Sequence, residues 1–161
     1  MKAREREPHI ERMFELERII FFSDAVFAIA ITLLALELHV PDIQVTSFAP
    51  VWNAILNNWP HFFAFALSFW IIATYWLAHH RCFRYIVRFD GGLIWRNFLV
   101  LFFIILLPFT TLVLGEYGNL PDGVVFYGLN MLALGLSLAW LWYLVGPWLG
   151  SCSPSSEGII R

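Results

Sequence analysis

The stretch Arg18 to Leu38 reads RIIFFSDAVFAIAITLLALEL. From Ile19 to Leu38 it supplies 20 residues, nearly all apolar. About 20 such residues are what a helix needs to cross the hydrocarbon core of a bilayer. Two carboxylates fall inside the run, Asp24 and Glu37. A carboxylate at mid-membrane costs about 2.5–3.5 kcal/mol on insertion scales, so one inside a span has a partner or a watery cavity. Asp24 lies five residues from the start, about 7.5 Å along a helix, and Glu37 adjoins the far end. Spacing alone leaves two readings open for them: interfacial groups, or groups with partners on neighbouring helices.

Composition agrees with a membrane protein. Of 161 residues, 60% are hydrophobic and 14% charged, against about 25% charged in soluble domains. The length is that of one domain. Eight Trp and sixteen Phe suit a lipid-facing surface with interfacial aromatics. A net charge of −2 gives no basis for nucleic-acid binding. The two cysteines, Cys82 and Cys152, are expected on the cytoplasmic side as reduced thiols and form no disulfide framework. The first apolar run is too long for a signal-peptide core, so no secretory signal peptide is expected.

Taken in order, the chain predicts an all-α integral membrane protein with four spans. Residues 1–17 form a charged cytoplasmic head, in which Pro8 starts or precedes a short helix. Residues 18–150 hold the spans, at about 19–38, 59–79, 93–115 and 124–149. Residues 151–161 form a polar tail. Pro108 falls inside the third span and is expected to kink it, with Thr110 and Thr111 helping to satisfy the freed backbone groups. Basic residues cluster in the head (Lys2, Arg4, Arg6, Arg12, Arg18) and around the second connection (Arg81, Arg84, Arg88, Arg96), while the first and third loops have none. By the positive-inside rule both termini are cytoplasmic.

Two groups of residues carry the functional reading. Phe22, Ile29, Leu33 and Leu36 share a narrow face of the first helix, and Asp24 lies about 140° from Ile29 around the axis. On periodicity alone this face is a packing stripe or a pore stripe. Arg18, Asp24, Trp76, His80 and Asn97 fall near the same ends of spans one to three, where complementary polar groups satisfy one another between helices. The run His79-His80-Arg81-Cys82 does not amount to a metal site, since adjacent histidines diverge on a helix and no second ligand cluster exists. No cofactor is expected. No nucleophile, P-loop or zincin pattern is present, which argues against an enzyme.

Arg18, then three residues, then Phe22-Ser23-Asp24 at the head of a first span resembles the signature of the transmembrane-protein-175 potassium-channel family, bacterial branch. The following Ala25 to Thr32, together with Trp76, His80, Asn97 and Pro108-Phe109, is also similar to bacterial members. The resemblance runs from Arg18 to about Gly115. It implies a potassium-selective leak-type channel, a homotetramer in the cell membrane whose first helices line the path of permeant potassium, with proton permeation as a second activity. It further implies that Ile29 forms the main apolar constriction, that Leu33 and Leu36 form the next rings, and that Thr32 places a hydroxyl nearby. Arg18, Phe22, Ser23, Asp24, Trp76, His80 and Asn97 would then tie the helices together. Family repeats have six helices, so four spans imply a form without the last two. A truncated, non-conducting scaffold and a secondary transporter stay open as alternatives.

Overall fold

The computed structural model describes residues 7–38, 52–53, 55–56, 58–86 and 91–149. Four long helices account for nearly all of them: α1 (Glu7–Leu36), α2 (Trp59–Arg84), α3 (Gly91–Tyr117) and α4 (Pro121–Leu149). All four contain segments long and apolar enough to span a membrane. The predicted tail and the loop between α1 and Trp52 lie outside the described residues.

From Glu7 onward the head and first span are one helix. α1 has 30 residues, about 45 Å at 1.5 Å per residue, longer than the roughly 30 Å hydrocarbon core. Pro8 sits in the first turn, where its missing N–H costs nothing. The Glu, Arg, Met and Leu that follow favour helix, and no residue before Arg18 interrupts it. The expected boundary at residue 17 is therefore a change of composition along a continuous rod. α2 also outruns its predicted span, ending at Arg84 rather than His79. Arg81 and Arg84 occupy its last turn, where cations favour the helix dipole. α3 and α4 each begin two or three residues earlier than expected, α4 with Pro121 in its first turn.

α3 is the central element and packs against the other three helices, while α1 packs against α2 and α3 and does not meet α4. The core is formed by Phe27, Ala30 and Leu34 of α1, Ile72 of α2, Val100, Ile104 and Leu107 of α3, and Leu134 and Leu141 of α4, all 1% exposed or less. Lipid is as apolar as these side chains, so their association rests on close packing and interhelical hydrogen bonds rather than escape from water. Buried polar contacts consequently decide which faces meet.

Pro108 is buried inside α3, which runs on as helix for another nine residues to Tyr117. The Thr110 and Thr111 hydroxyls both donate to the Leu107 carbonyl, at 3.0 and 2.8 Å. The carbonyl a proline deprives of its donor lies four residues earlier, at Ile104. These threonines therefore do not repair the proline's gap as the sequence suggests. Their oxygens instead reach other helices. The Thr111 and Ser68 hydroxyl oxygens lie 2.7 Å apart across α3 and α2, with Thr111 able to accept once its proton is on Leu107, and Ser68 pairs with the Tyr127 hydroxyl of α4 at 3.0 Å. Asn130 of α4 donates to Thr110 at 3.2 Å. This cluster joins α2, α3 and α4 in the half of the bundle away from Arg18 and Arg81.

Candidate functional site

α1 presents two contrasting sides. Ser23, Phe27, Ala30 and Leu34, spaced four, three and four residues apart, are buried against α2 and α3. On the other side Phe22 is 52% exposed, Ile29 57%, Leu33 38% and Leu36 70%. Among the described residues, this stripe is covered by nothing beyond an edge contact at Phe22. Next to it around the axis lies a second exposed row, Ala25, Ala28, Thr32 and Ala35. Small residues at such spacing let another helix approach closely. Sequence reasoning did not single out this row, although its spacing of three, four and three was readable. The Thr32 hydroxyl donates to the Ile29 carbonyl at 2.8 Å. Its proton is thereby turned onto the backbone, which leaves the oxygen lone pairs free to accept or to meet a cation.

Behind this face, α1 is fixed by a chain of polar side chains. Ser23 donates to the Ile19 carbonyl at 2.8 Å and accepts from Asn97 Nδ2 of α3 at 2.9 Å. Asn97 Oδ1 pairs with His79 Nε2 of α2 at 2.7 Å. All three residues are buried, at 0%, 1% and 2% exposure. One helical step on, Trp76 Nε1 donates to Asp24 Oδ1 at 2.8 Å. Both bonds lie on the inner side of α1, and Asp24 turns away from Ile29.

The placement of the remaining predicted residues is more varied. His80 does not reach Asn97. It lies against the Trp76 ring, with centroids 5.5 Å apart, and its buried Nδ1 has no hydrogen-bond partner among the described residues. The histidine that joins the chain is His79, held between Phe27 and Phe83 with centroids 5.3 and 4.5 Å away. Periodicity contained that signal: Ala64, Ser68, Ile72, His79 and Phe83 make one buried stripe of α2, and His80 falls about 100° off it. Arg18 is exposed and makes no ion pair among the described residues; it borders a shallow cleft of 230 Å³ with Phe22, Asn97 and Phe98. Phe22 meets Phe98 edge-on at 6.0 Å.

Four apolar spanning helices, tied by buried polar side chains and exposing apolar faces outward, define a helical multi-pass membrane protein. The family model described as the endosomal/lysosomal potassium channel TMEM175 matches residues 18–108. The chain belongs to this family, which is a family of channels and not of enzymes. It is 37% identical to a potassium channel of Streptomyces collinus over 137 residues, covering 81% of this chain and 65% of that protein. It is 38% identical to a potassium channel of Chamaesiphon minutus over 131 residues, covering 80% of this chain and 64% of that protein. The crystal structure of a lysosomal potassium-selective channel TMEM175 homologue from Chamaesiphon minutus superimposes with a TM-score of 0.76 at 36% identity, covering 85% of this chain and 74% of the other. The chain thus spans a little under two thirds of the length of these curated relatives.

Proposed function

We propose that this chain is the subunit of a potassium-selective, leak-type cation channel in which α1 helices of several copies surround a common axis. The carrying observation is the uncovered stripe Phe22, Ile29, Leu33 and Leu36, set against an opposite face of α1 that is locked to α2 and α3. A helix fixed from behind and bare in front is suited to line a path shared between copies. Ile29 forms the narrowest ring, Leu33 and Leu36 the rings beyond it, and Thr32 offers oxygen beside the constriction. Ser23, Asp24, Trp76, His79 and Asn97 hold α1 in that attitude through the hydrogen bonds described above, with His80 packed on the Trp76 ring and Arg18 and Phe22 at the rim of the same end. The assembly is a homotetramer in the cell membrane with both termini cytoplasmic, and protons are a second permeant species. The relatives' names, potassium channel in two cases, support the choice of ion.

The experiment is ion flux into liposomes containing the purified chain. Potassium uptake down its gradient, exceeding sodium uptake under the same gradient, is the expected outcome. A chain that reconstitutes as an oligomer and passes neither ion refutes the proposal and favours a non-conducting membrane scaffold.

A further inference from the structure

α2 and α4 diverge on the flank of the bundle away from α1, leaving a groove of about 480 Å³ lined by Thr74, Tyr75, Ala78, Gly135, Leu138, Ala139 and Trp142. That volume is in the range of small-molecule sites, about 300–1,000 Å³. Small side chains form its floor on α4, where a Cβ added to Gly135 would stand 3.2 Å from the Tyr75 hydroxyl. One end is closed by Trp142, whose ring lies 6.4 Å from that of Tyr85. Arg81 is exposed one turn beyond Ala78 on α2. Arg81 does not line the groove itself but is the cation next along α2 at this end, and helical side chains lean toward the N-terminus, the direction of the groove.

Two features argue for the kind of occupant. The Tyr75 hydroxyl has no hydrogen-bond partner among the described residues, although it borders an apolar groove within a membrane span. A polar group left unpaired at membrane depth is costly. A neighbouring transmembrane helix spends its carbonyls on its own backbone and could meet this hydroxyl only with a polar side chain, as Ser68 meets Tyr127. A phospholipid offers ester carbonyls. At the same end, Arg81 supplies a cation suited to phosphate, and Tyr85 and Trp142 are the aromatic types found at the membrane interface. Tyr75 and Arg81 are six residues apart, about 9 Å along the helix. A headgroup phosphate and the ester region beneath it extend in that same direction.

We infer that the groove between α2 and α4 binds an anionic phospholipid, with one acyl chain laid along Gly135 and Ala139, an ester oxygen at the Tyr75 hydroxyl and the phosphate at Arg81.

Native mass spectrometry of the purified full chain in mild detergent tests this, with phosphatidylglycerol and phosphatidylcholine of identical acyl chains as probes. The wild type is expected to retain phosphatidylglycerol at least threefold more than phosphatidylcholine. Arg81→Gln should bring the two lipids level, and Tyr75→Phe should lower retention of both about twofold. Gly135→Leu fills the groove and should reduce both severalfold; Ala139→Leu, at an exposed position on the same wall, gives the same reading if Gly135→Leu fails to fold. Equal retention of the two lipids by the wild type overturns the inference. So does full phosphatidylglycerol retention in Gly135→Leu and Ala139→Leu, or a change of oligomeric mass in these variants with lipid retention intact, which would make a second copy the occupant.

Discussion

Trp76 Nε1 of α2 donates to Asp24 Oδ1 of α1 at 2.8 Å, one residue along from the Ser23 hydroxyl that Asn97 of α3 engages. Two consecutive residues of α1 thus reach two different helices. Such a pair of ties fixes rotation about the helix axis as well as position, because turning α1 by one residue, about 100°, breaks both at once.

Asp24→Ala is expected to leave the Trp76 indole unpaired and to lower stability by about 1–3 kcal/mol, the usual cost of stranding a buried donor. Thermal unfolding in mild detergent and retention of the oligomer on size exclusion measure the loss. Trp76→Phe should cost less when made on top of Asp24→Ala than when made alone, since neither then has a bond left to break. Strictly additive effects would show that the bond contributes nothing. An Asp24→Ala oligomer that is stable yet has lost its potassium preference would give Asp24 a role in the ion path instead.

The adjacent histidines should respond differently. His79 is 2% exposed, bonded to Asn97 and packed between two phenylalanine rings. His79→Phe strands the Asn97 carbonyl oxygen and is expected to destabilise by about 1–3 kcal/mol. His80→Phe keeps a ring against Trp76 and removes an Nδ1 that has no partner among the described residues, so it should be near neutral. Interhelical hydrogen bonds in membranes average only about 0.6 kcal/mol by double-mutant cycles. The decisive comparison is therefore the order of the two variants in one unfolding assay rather than either value. Equal losses would mean that the Asn97 bond is not what His79 contributes.

Those histidines also mark how far the sequence could be read. Four spans were legible because a 20-residue apolar run has few other uses, and the Ser23-Asp24 pair was legible because polar groups inside such a run need partners. Which partner each one takes depends on the relative rotation of two helices. Adjacent positions differ by about 100°, and that difference separates His80, which the sequence suggests, from His79, which makes the bond. The Ser68, Thr111 and Tyr127 cluster was out of reach for the same reason, since it needs three helices in register. Most helix ends extend past the expected spans, because hydropathy stops where water begins whereas the helical hydrogen bonds of α1 and α2 continue through charged residues such as Glu15 and Arg84; the far end of α1 is the exception, stopping at Leu36 rather than Leu38.

The proposed orientation has its own test. Asn119 lies between α3 and α4, at the opposite end of the bundle from Arg84. With basic residues retained on the cytoplasmic side, a cysteine introduced as Asn119→Cys should react with a membrane-impermeant thiol reagent added to intact cells. Arg84→Cys should react only after permeabilisation. Native Cys82 is buried, so its contribution should be small. Labelling of Arg84→Cys in intact cells would reverse the orientation.

Conduction itself turns on Ile29 and Thr32. If α1 helices surround the path, each copy adds one Ile29 side chain to a ring that offers no oxygen to replace water around an ion. Such a ring acts through narrowness and dewetting. Potassium sheds its hydration shell at lower cost than sodium, so an apolar ring favours potassium without a carbonyl filter. Ile29→Asn supplies a polar group at the same radius and is expected to raise flux of both ions while eroding the preference between them. Thr32 acts on the other side of the barrier. Its hydroxyl proton is committed to the Ile29 carbonyl, so its lone pairs face an arriving ion; Thr32→Ala removes that oxygen and should reduce selectivity with little gain in total flux. The second variant also separates pore chemistry from folding, because Thr32 is exposed and the lost bond returns only to its own backbone. Liposome flux of potassium and sodium, measured side by side for wild type and both variants, decides the matter. If the wild type conducts and both variants match it in rate and preference, the path does not run along this face of α1.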